Sequence, residues 1–309
     1  MKFNDRLDNI YCIDTNMFGF KQYCAAYLIE GKEIALIDTG QSSKTEALFS
    51  GIKSHGFSVN EISYIFVTHC EHNDHSGNVT KVLKESPHAN VYIHPSVTQF
   101  LTEPWVQMES MKRQMPASTI EKMGTPEPTP ISRIRHLQDG QVFNLGNGET
   151  LQVIFAPGHQ PGGIVLFEQK HKGLFINDLV GIYLPDADAH YVINPNGSDH
   201  KQAIQTLKNI MDLPIENLYL SHYGIISEKP KELISKAIAN MQRLLDIGTQ
   251  CIAEGKPESI VDKLWEVYMP ELQKLRAVRG EALYRYAAIE RLPAQFQLFT
   301  KYCQENLSI

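Results

Sequence analysis

An apolar run, Tyr64–Val67, ends abruptly in Thr68-His69-Cys70-Glu71-His72-Asn73-Asp74-His75-Ser76-Gly77. The seven residues from His69 to His75 hold three His, one Cys, one Glu and one Asp. All six bind divalent metal, and imidazole with carboxylate suits zinc, iron or manganese better than calcium or magnesium. A β-branched run followed by Thr reads as a buried strand opening into a loop at its C-terminal end. Open α/β-type sheets commonly carry their sites at that edge. Three solvated histidines beside two acids are the bland alternative, which leaves this density of ligands without a reason.

The same grammar recurs along the chain. Ile10–Asp14 alternates, and two β runs around Gly31-Lys32 make a hairpin closed by Asp38-Thr39-Gly40. Ser42 or Ser43 caps a helix through Glu46, Leu48 and Ile52, and a second helix follows Gly77. Ala89–His94 is a further strand, so the first third runs β-β-α-β-α-β. Residues 95–130 read as a helical excursion ended by the stiff Pro126-Glu127-Pro128-Thr129-Pro130. Its methionines and Trp105 either line a pocket or pack on the sheet. Strands return at Gln141–Phe143, Leu151–Ala156, Ile164–Glu168 and Gly173–Asn177. A helix over 199–211 leads to a last strand at Asn217–Leu220. Four strands thus end beside a ligand-type residue, at His69, His159, Asp178 and His222.

From Glu228 the apolar spacing predicts helices, broken at Gly255-Lys256-Pro257 and at Met269-Pro270. Arg276, Arg279 and Arg285, with Tyr284 and Tyr286 between, form a basic face. It meets an anionic substrate, a partner or simply water.

Composition sets limits. A net charge of -6 over 309 residues argues against a large nucleic-acid footprint. Five scattered cysteines with no C-x-x-C pair read as reduced thiols of a cytoplasmic protein. The first residues lack the apolar core of a signal peptide, and no stretch reaches the ~18 apolar residues of a membrane span.

Taken in order, Asp38-Thr39-Gly40, Thr68-His69 to Gly77, Pro157-Gly158-His159, Asn177-Asp178 and Ser221-His222-Tyr223-Gly224 resemble the signature of the metallo-β-lactamase-fold superfamily. The likeness covers roughly residues 10–225. His94-Pro95 and the run Asp178–Pro185 are similar to its glyoxalase-II-like hydrolases of largely unassigned substrate. The resemblance implies an α+β chain, a four-layer αββα sandwich with a C-terminal helical extension. Residues 1–227 would form the catalytic domain and 228–309 the helices packed on it.

The resemblance also implies a dinuclear site for two divalent metal ions, zinc first, with iron or manganese as alternatives. His69, His72 and His159 would serve one ion, and Asp74, His75 and His222 the other, with Asp178 bridging. A shared hydroxide would cleave an ester, thioester, lactone or related bond of a small-molecule substrate. Asp74 would also orient that hydroxide, and Asp38 would receive the N–H of a ligand histidine. Tyr183, His190 and Tyr223 are candidates to protonate the leaving group. No nucleic-acid or membrane partner is expected, and a homodimer is compatible.

One departure stands out. The family has one residue between its first two histidines, and here Cys70 and Glu71 both intervene. A bulge after Val67 would keep His69 and His72 as ligands and turn Glu71 away. The rival arrangement puts Glu71 on the metal, as in the flavodiiron oxygen reductases that share this fold. That would make the chain a non-hydrolytic diiron protein that senses or reduces oxygen. A metal-stabilised binding module is the third reading.

Overall fold

Strand ends that must meet at one place dictate how the sheets are wired. The structure, a computed structural model, describes residues 4–70, 73–112, 115–192 and 197–307. The first sheet takes its strands in chain order: β1 (Arg6–Leu7), β2 (Ile10–Asp14), β3 (Ala25–Glu30), β4 (Ile34–Ile37), β5 (Ile62–Phe66), β6 (Asn90–Ile93) and β7 (Ile134–His136). Hairpins keep β1 to β4 antiparallel, and helical crossovers make β4 to β7 parallel. The crossovers include α1 (Thr45–Ser54), the short α2 (Asn73–Ser76), α3 (Val79–Glu85), α4 (Thr98–Thr102), α5 (Trp105–Lys112) and α6 (Ala117–Met123). Because β4 and β5 are parallel, with Ile37 opposite Phe66, Asp38 and Thr68 leave the sheet side by side.

The second sheet contains β8 (Val142–Gly146), β9 (Glu149–Phe155), β10 (Ile164–Glu168), β11 (Gly173–Ile176), β14 (Asn217–Leu220) and β15 (Ile225–Ile226), in the order β15-β14-β11-β10-β9-β8. Between β11 and β14 the chain makes a small hairpin, β12 (Ile182–Leu184) and β13 (Ala189–Tyr191). It then makes α7 (His200–Ile210). The parallel pair β11/β14 sets Ile176 opposite Leu220, so Asp178 and His222 emerge together. The β9/β10 hairpin brings the His159 loop to the same end, since Phe155 faces Ile164. Two backbone bonds tie the sheets there: Ile164 N to Thr68 O (2.9 Å) and Ala25 N to Ser221 O (2.8 Å).

Three apolar cores make four layers. Tyr27, Phe66, Leu151, Leu166, Phe175 and Tyr219 fill the space between the sheets. The outer face of the first sheet packs on α1 and α3 through Leu48, Ile52, Val79 and Val82. The outer face of the second, through Val165, Leu174 and Leu218, shares one core with α7 and with the C-terminal helices. These are α8 (Pro230–Ala253), α9 (Ser259–Arg279), α10 (Glu281–Arg285), a π-helical turn (Tyr286–Arg291) and α11 (Leu292–Asn306). This is the αββα sandwich with a C-terminal helical region. No helix among the described residues is long and apolar enough to cross a membrane.

Two expectations need correction. Ser42 and Ser43 do not cap the first helix: they lie in a 3-10 turn before it, their hydroxyls donate to the carbonyls of Met123 and Lys122, and α1 begins at Thr45 with Lys44 at its N-cap. The helix α9 runs straight through Pro270 instead of breaking there. A mid-helix Pro costs ~3 kcal/mol, and Tyr268, Leu272 and Leu275, all buried in the shared core, offset it. Of the two readings of the 95–130 segment, Met111, Met115 and Met123 follow the packing one, as ordinary core residues, while Trp105 is 55% exposed.

Candidate metal centre

The two sheets deliver their ligand residues to one buried point. His69 Nε2 lies 3.5 Å from Asp178 Oδ2, His222 Nε2 3.3 Å and His159 Nε2 3.9 Å, while His75 Nε2 lies 4.0 Å from Oδ1. All five side chains are at most 5% exposed. They form two groups able to hold an ion, His69–His159–Asp178 and His75–Asp178–His222, which share Asp178.

Hydrogen bonds set which nitrogen is bare. His222 Nδ1 donates to the carbonyl of Tyr23 (2.8 Å), leaving the lone pair on Nε2. His69 Nδ1 donates to Thr68 Oγ1 (2.9 Å), whose hydroxyl donates to Asp38 Oδ2 (2.7 Å). Asp38 also accepts from Thr68 N (2.8 Å) and lies 3.6 Å from His75 Nδ1. One carboxylate therefore orients two of the imidazoles, one directly and one through a hydroxyl. Its backbone sits at φ +58°, in the left-handed region that a residue with a Cβ occupies only under constraint. Gly77 closes the loop from below, since a Cβ there would overlap the backbone of Ser42 and Asn73.

A metal ion fits this donor set. Four-coordinate zinc with ~2.0–2.1 Å bonds holds its ligand atoms about 3.3 Å apart, near the separations of His69 and His222 from Asp178. Asp178 Oδ1 and His222 Nε2 are buried and lack a hydrogen-bond partner among the described residues, which is costly unless something else binds them. Burial alone would raise the Asp178 carboxyl. The imidazoles of His222 and His69 outweigh that and hold it well below the ordinary range. Burial keeps the neighbouring thiols of Cys24 and Cys70 protonated, so neither competes as a thiolate.

The remaining expected residues lie as follows. Asp74 is buried on α2 and is in neither of the two ligand groups formed among the described residues. Glu71 and His72 lie outside the described residues, so both arrangements of the extra residue stand as read from the sequence. Tyr183 turns its hydroxyl to Asp188 (3.2 Å), which is 66% exposed, and is not brought to the ligands. Tyr223 packs in the core between the sheets. His190 is satisfied on both nitrogens, by the Val180 carbonyl (2.6 Å) and by Asn240 (3.1 Å). Burial pushes it down to about 4, which suits a neutral structural residue and not a proton donor. Sequence reasoning did not single out Tyr23 and Cys24, which touch His222 and His75, or Tyr191, whose hydroxyl is 3.4 Å from that of Tyr23. Nothing in their local spacing marks them, because their nearness is purely tertiary.

The model of the metallo-beta-lactamase superfamily matches residues 20–222, and the chain belongs to that superfamily. It is 24% identical over 216 residues to a putative diflavin flavoprotein A 3 of Nostoc sp. strain PCC 7120, covering 64% of this chain and 33% of that one. It is 30% identical over 112 residues to the acyl-coenzyme A thioesterase MBLAC2 of Gallus gallus, covering 36% of this chain and 39% of that protein. The chain thus spans about a third of the first curated relative it matches. A solved structure with the same fold, the metallo-beta-lactamase family protein TTHA1429 of Thermus thermophilus, superposes with a TM-score of 0.66 at 19% identity. That superposition covers 97% of this chain and 94% of the other.

Proposed function

We propose that the chain is a metal-dependent hydrolase of the glyoxalase-II-like kind, cutting an ester or thioester of a small molecule. The observation that carries this reading is Asp178, one carboxylate common to two imidazole groups, with the Nε2 of His222 turned toward it. Two divalent ions held by these residues, zinc being the best match to the nitrogen-rich set, would supply a water activated near pH ~7 and a Lewis acid for the bond under attack. The chain's own residues do the rest. Asp38 holds His69 through Thr68 and fixes the tautomer that keeps its Nε2 free. The Tyr23 carbonyl does the same for His222. Asp178 supplies negative charge between the two groups, and the apolar walls exclude bulk water. Likeness to an acyl-coenzyme A thioesterase supports a thioester among the candidate substrates. Five cysteines present as free, buried thiols accord with a reducing cytoplasm.

A second reading rests on Glu71, which falls at the family's second-ligand position when the spacing is counted forward from His69, and on likeness to the diflavin flavoprotein. It makes the chain a diiron protein that reacts with oxygen. Elemental analysis with an anaerobic spectrum, followed by p-nitrophenyl acetate hydrolysis with and without chelator, separates the two. Zinc and chelator-sensitive turnover support the hydrolase. An oxygen-responsive iron band without turnover supports the second reading.

A further inference from the structure

Two aromatic rings away from His222 lies a pocket that the chemistry above leaves unused. It has a volume of about 360 Å3 and is lined by Phe18, Phe20, Lys122, Arg285, Tyr286 and Glu290. Three separate parts of the chain build it: the loop before β3, the end of α6 (Ala117–Met123), and the junction of α10 with the π-helical turn. The loop is under constraint, with Asn16, Phe18 and Gln22 at φ 52°, 54° and 52°. Non-glycine residues hold such angles where the surroundings force them, often at binding sites. Here the constraint turns two aromatic rings toward Tyr286, with centroids 4.7 Å (Phe18) and 5.7 Å (Phe20) away. A π-helical turn, itself a feature frequent at functional sites, supplies Tyr286.

The charges on the rim are unbalanced. Lys122 and Arg285 have no ion-pair partner among the described residues, whereas Arg276 pairs with Glu281 and Arg279 with Asp186, each at 2.6 Å. The one acid, Glu290, accepts a hydrogen bond from Thr119. Aromatic faces with two unspent cations select a flat anion: the ring stacks and the charge meets guanidinium and ammonium. Two packed rings connect the pocket wall to the ligands. Tyr286 packs edge-on against Tyr23 at 6.0 Å, and Tyr23 packs against His222 at 5.3 Å.

We propose that this pocket binds a flat, negatively charged ring, the distal end of the substrate whose bond is cut at the metal centre. The word substrate rests on the hydrolase reading, whereas the binding itself does not.

The test uses the full, metal-loaded chain and three probes in calorimetric titration: 2-naphthalenesulfonate, the neutral methyl 2-naphthyl sulfone, and the non-planar cyclohexanesulfonate. Sulfonates are chosen as poor metal ligands. The flat anion should bind at one site, with each control about tenfold weaker or more, equivalent to ~1.4 kcal/mol. Lys122→Ala with Arg285→Ala, both exposed positions, should cost the naphthalenesulfonate at least about tenfold and leave the sulfone unchanged. For an ester carrying such a ring, the same pair should raise KM with little change in kcat. No saturable binding at millimolar concentration, or binding that ignores both cations, overturns the pocket. Pocket-dependent binding with no turnover of any ester overturns the hydrolase reading and with it the role as substrate site. Ester turnover indifferent to the double variant overturns the proposal and spares the hydrolase.

Discussion

The sandwich carries a cluster of titratable side chains at each end, and the two are built on opposite principles. At one end His69, His75, His159, Asp178 and His222 converge. At the other, Glu149, Glu168 and His171 come as close together at the far ends of β9 and β10. By proximity alone both would hold a cation. The far cluster already has its own: Lys170 Nζ lies 2.7 Å from Glu149 and 2.9 Å from Asp8. Glu168 accepts from His171 N (3.0 Å) and from Tyr219 (3.3 Å). Buried polar atoms without a hydrogen-bond partner occur at both ends, on Glu149 and on Asp178 and His222, but at the histidine end no Lys or Arg pairs with Asp178 among the described residues. The two ends thus differ in whether a cation of the chain already sits among the carboxylates, more than in how closely the ligands gather.

The contrast is broken most directly by exchanging the two ends. Protein purified without chelator should hold about two ions per chain. Asp178→Ala should lose both and fall to background in ester hydrolysis, and His159→Ala should lose mainly one. Glu149→Gln should lose none. Retained metal in Asp178→Ala, or lost metal in Glu149→Gln, reverses the assignment of the ends.

Two buried histidines that belong to neither end sharpen it further. Burial pushes His190 and His200 from 6.5 down to about 4. Between those values the unfolded chain binds protons that the native one refuses. Stability is therefore intact above pH 6.5 and falls as pH drops toward 4, by on the order of 3 kcal/mol for each histidine. Urea midpoints across that window measure it. His200 has no hydrogen-bond partner among the described residues and packs against Phe299 at 4.9 Å, so His200→Phe should flatten the curve. An unchanged slope in that variant would contradict the account.

At the histidine end, Asp38→Ala should weaken metal binding about 10- to 100-fold in chelator competition, as expected when the group orienting a ligand is removed. Wild-type affinity in this variant would reduce Asp38 to a strand cap. At the far end, Lys170→Met should cost about 1–3 kcal/mol in denaturant titration with metal content unchanged. A far cluster that gains an ion when its lysine is removed would show that the two ends differ only in that one residue. The smallest effect is expected for Tyr183→Phe. Its hydroxyl faces a surface carboxylate, so stability should shift within about ±0.5 kcal/mol and kcat should hold. A large loss of kcat would bring Tyr183 back to the chemistry.

What could be read from the residues follows from the range of the forces involved. Alternation in Ile10–Asp14, the turn at Gly31-Lys32 and the helical spacing after Ser42 are local, and each element formed where its pattern lies. The strand ends were legible because ligand chemistry is written in residue type. The β12/β13 hairpin escaped notice because its strands are three residues long and buried on both faces, so no alternation marks them. Pro270 misled because a local penalty was outweighed by distant packing. Tyr23, Tyr191 and Tyr286 meet from positions far apart in the chain, and no spacing can announce that.

The shared core of the second sheet and the C-terminal helices has a consequence in time. During synthesis, β9, β10, β11 and β14 emerge well before α8 to α11. At ~5–20 residues per second, the ~80 residues from Pro230 onward take about 4–16 s to make. For that interval Val165, Leu174, Leu218 and their neighbours face water or a chaperone. The nascent chain is then a sandwich with one side bare, and slow translation of the helices would lengthen its exposure to aggregation.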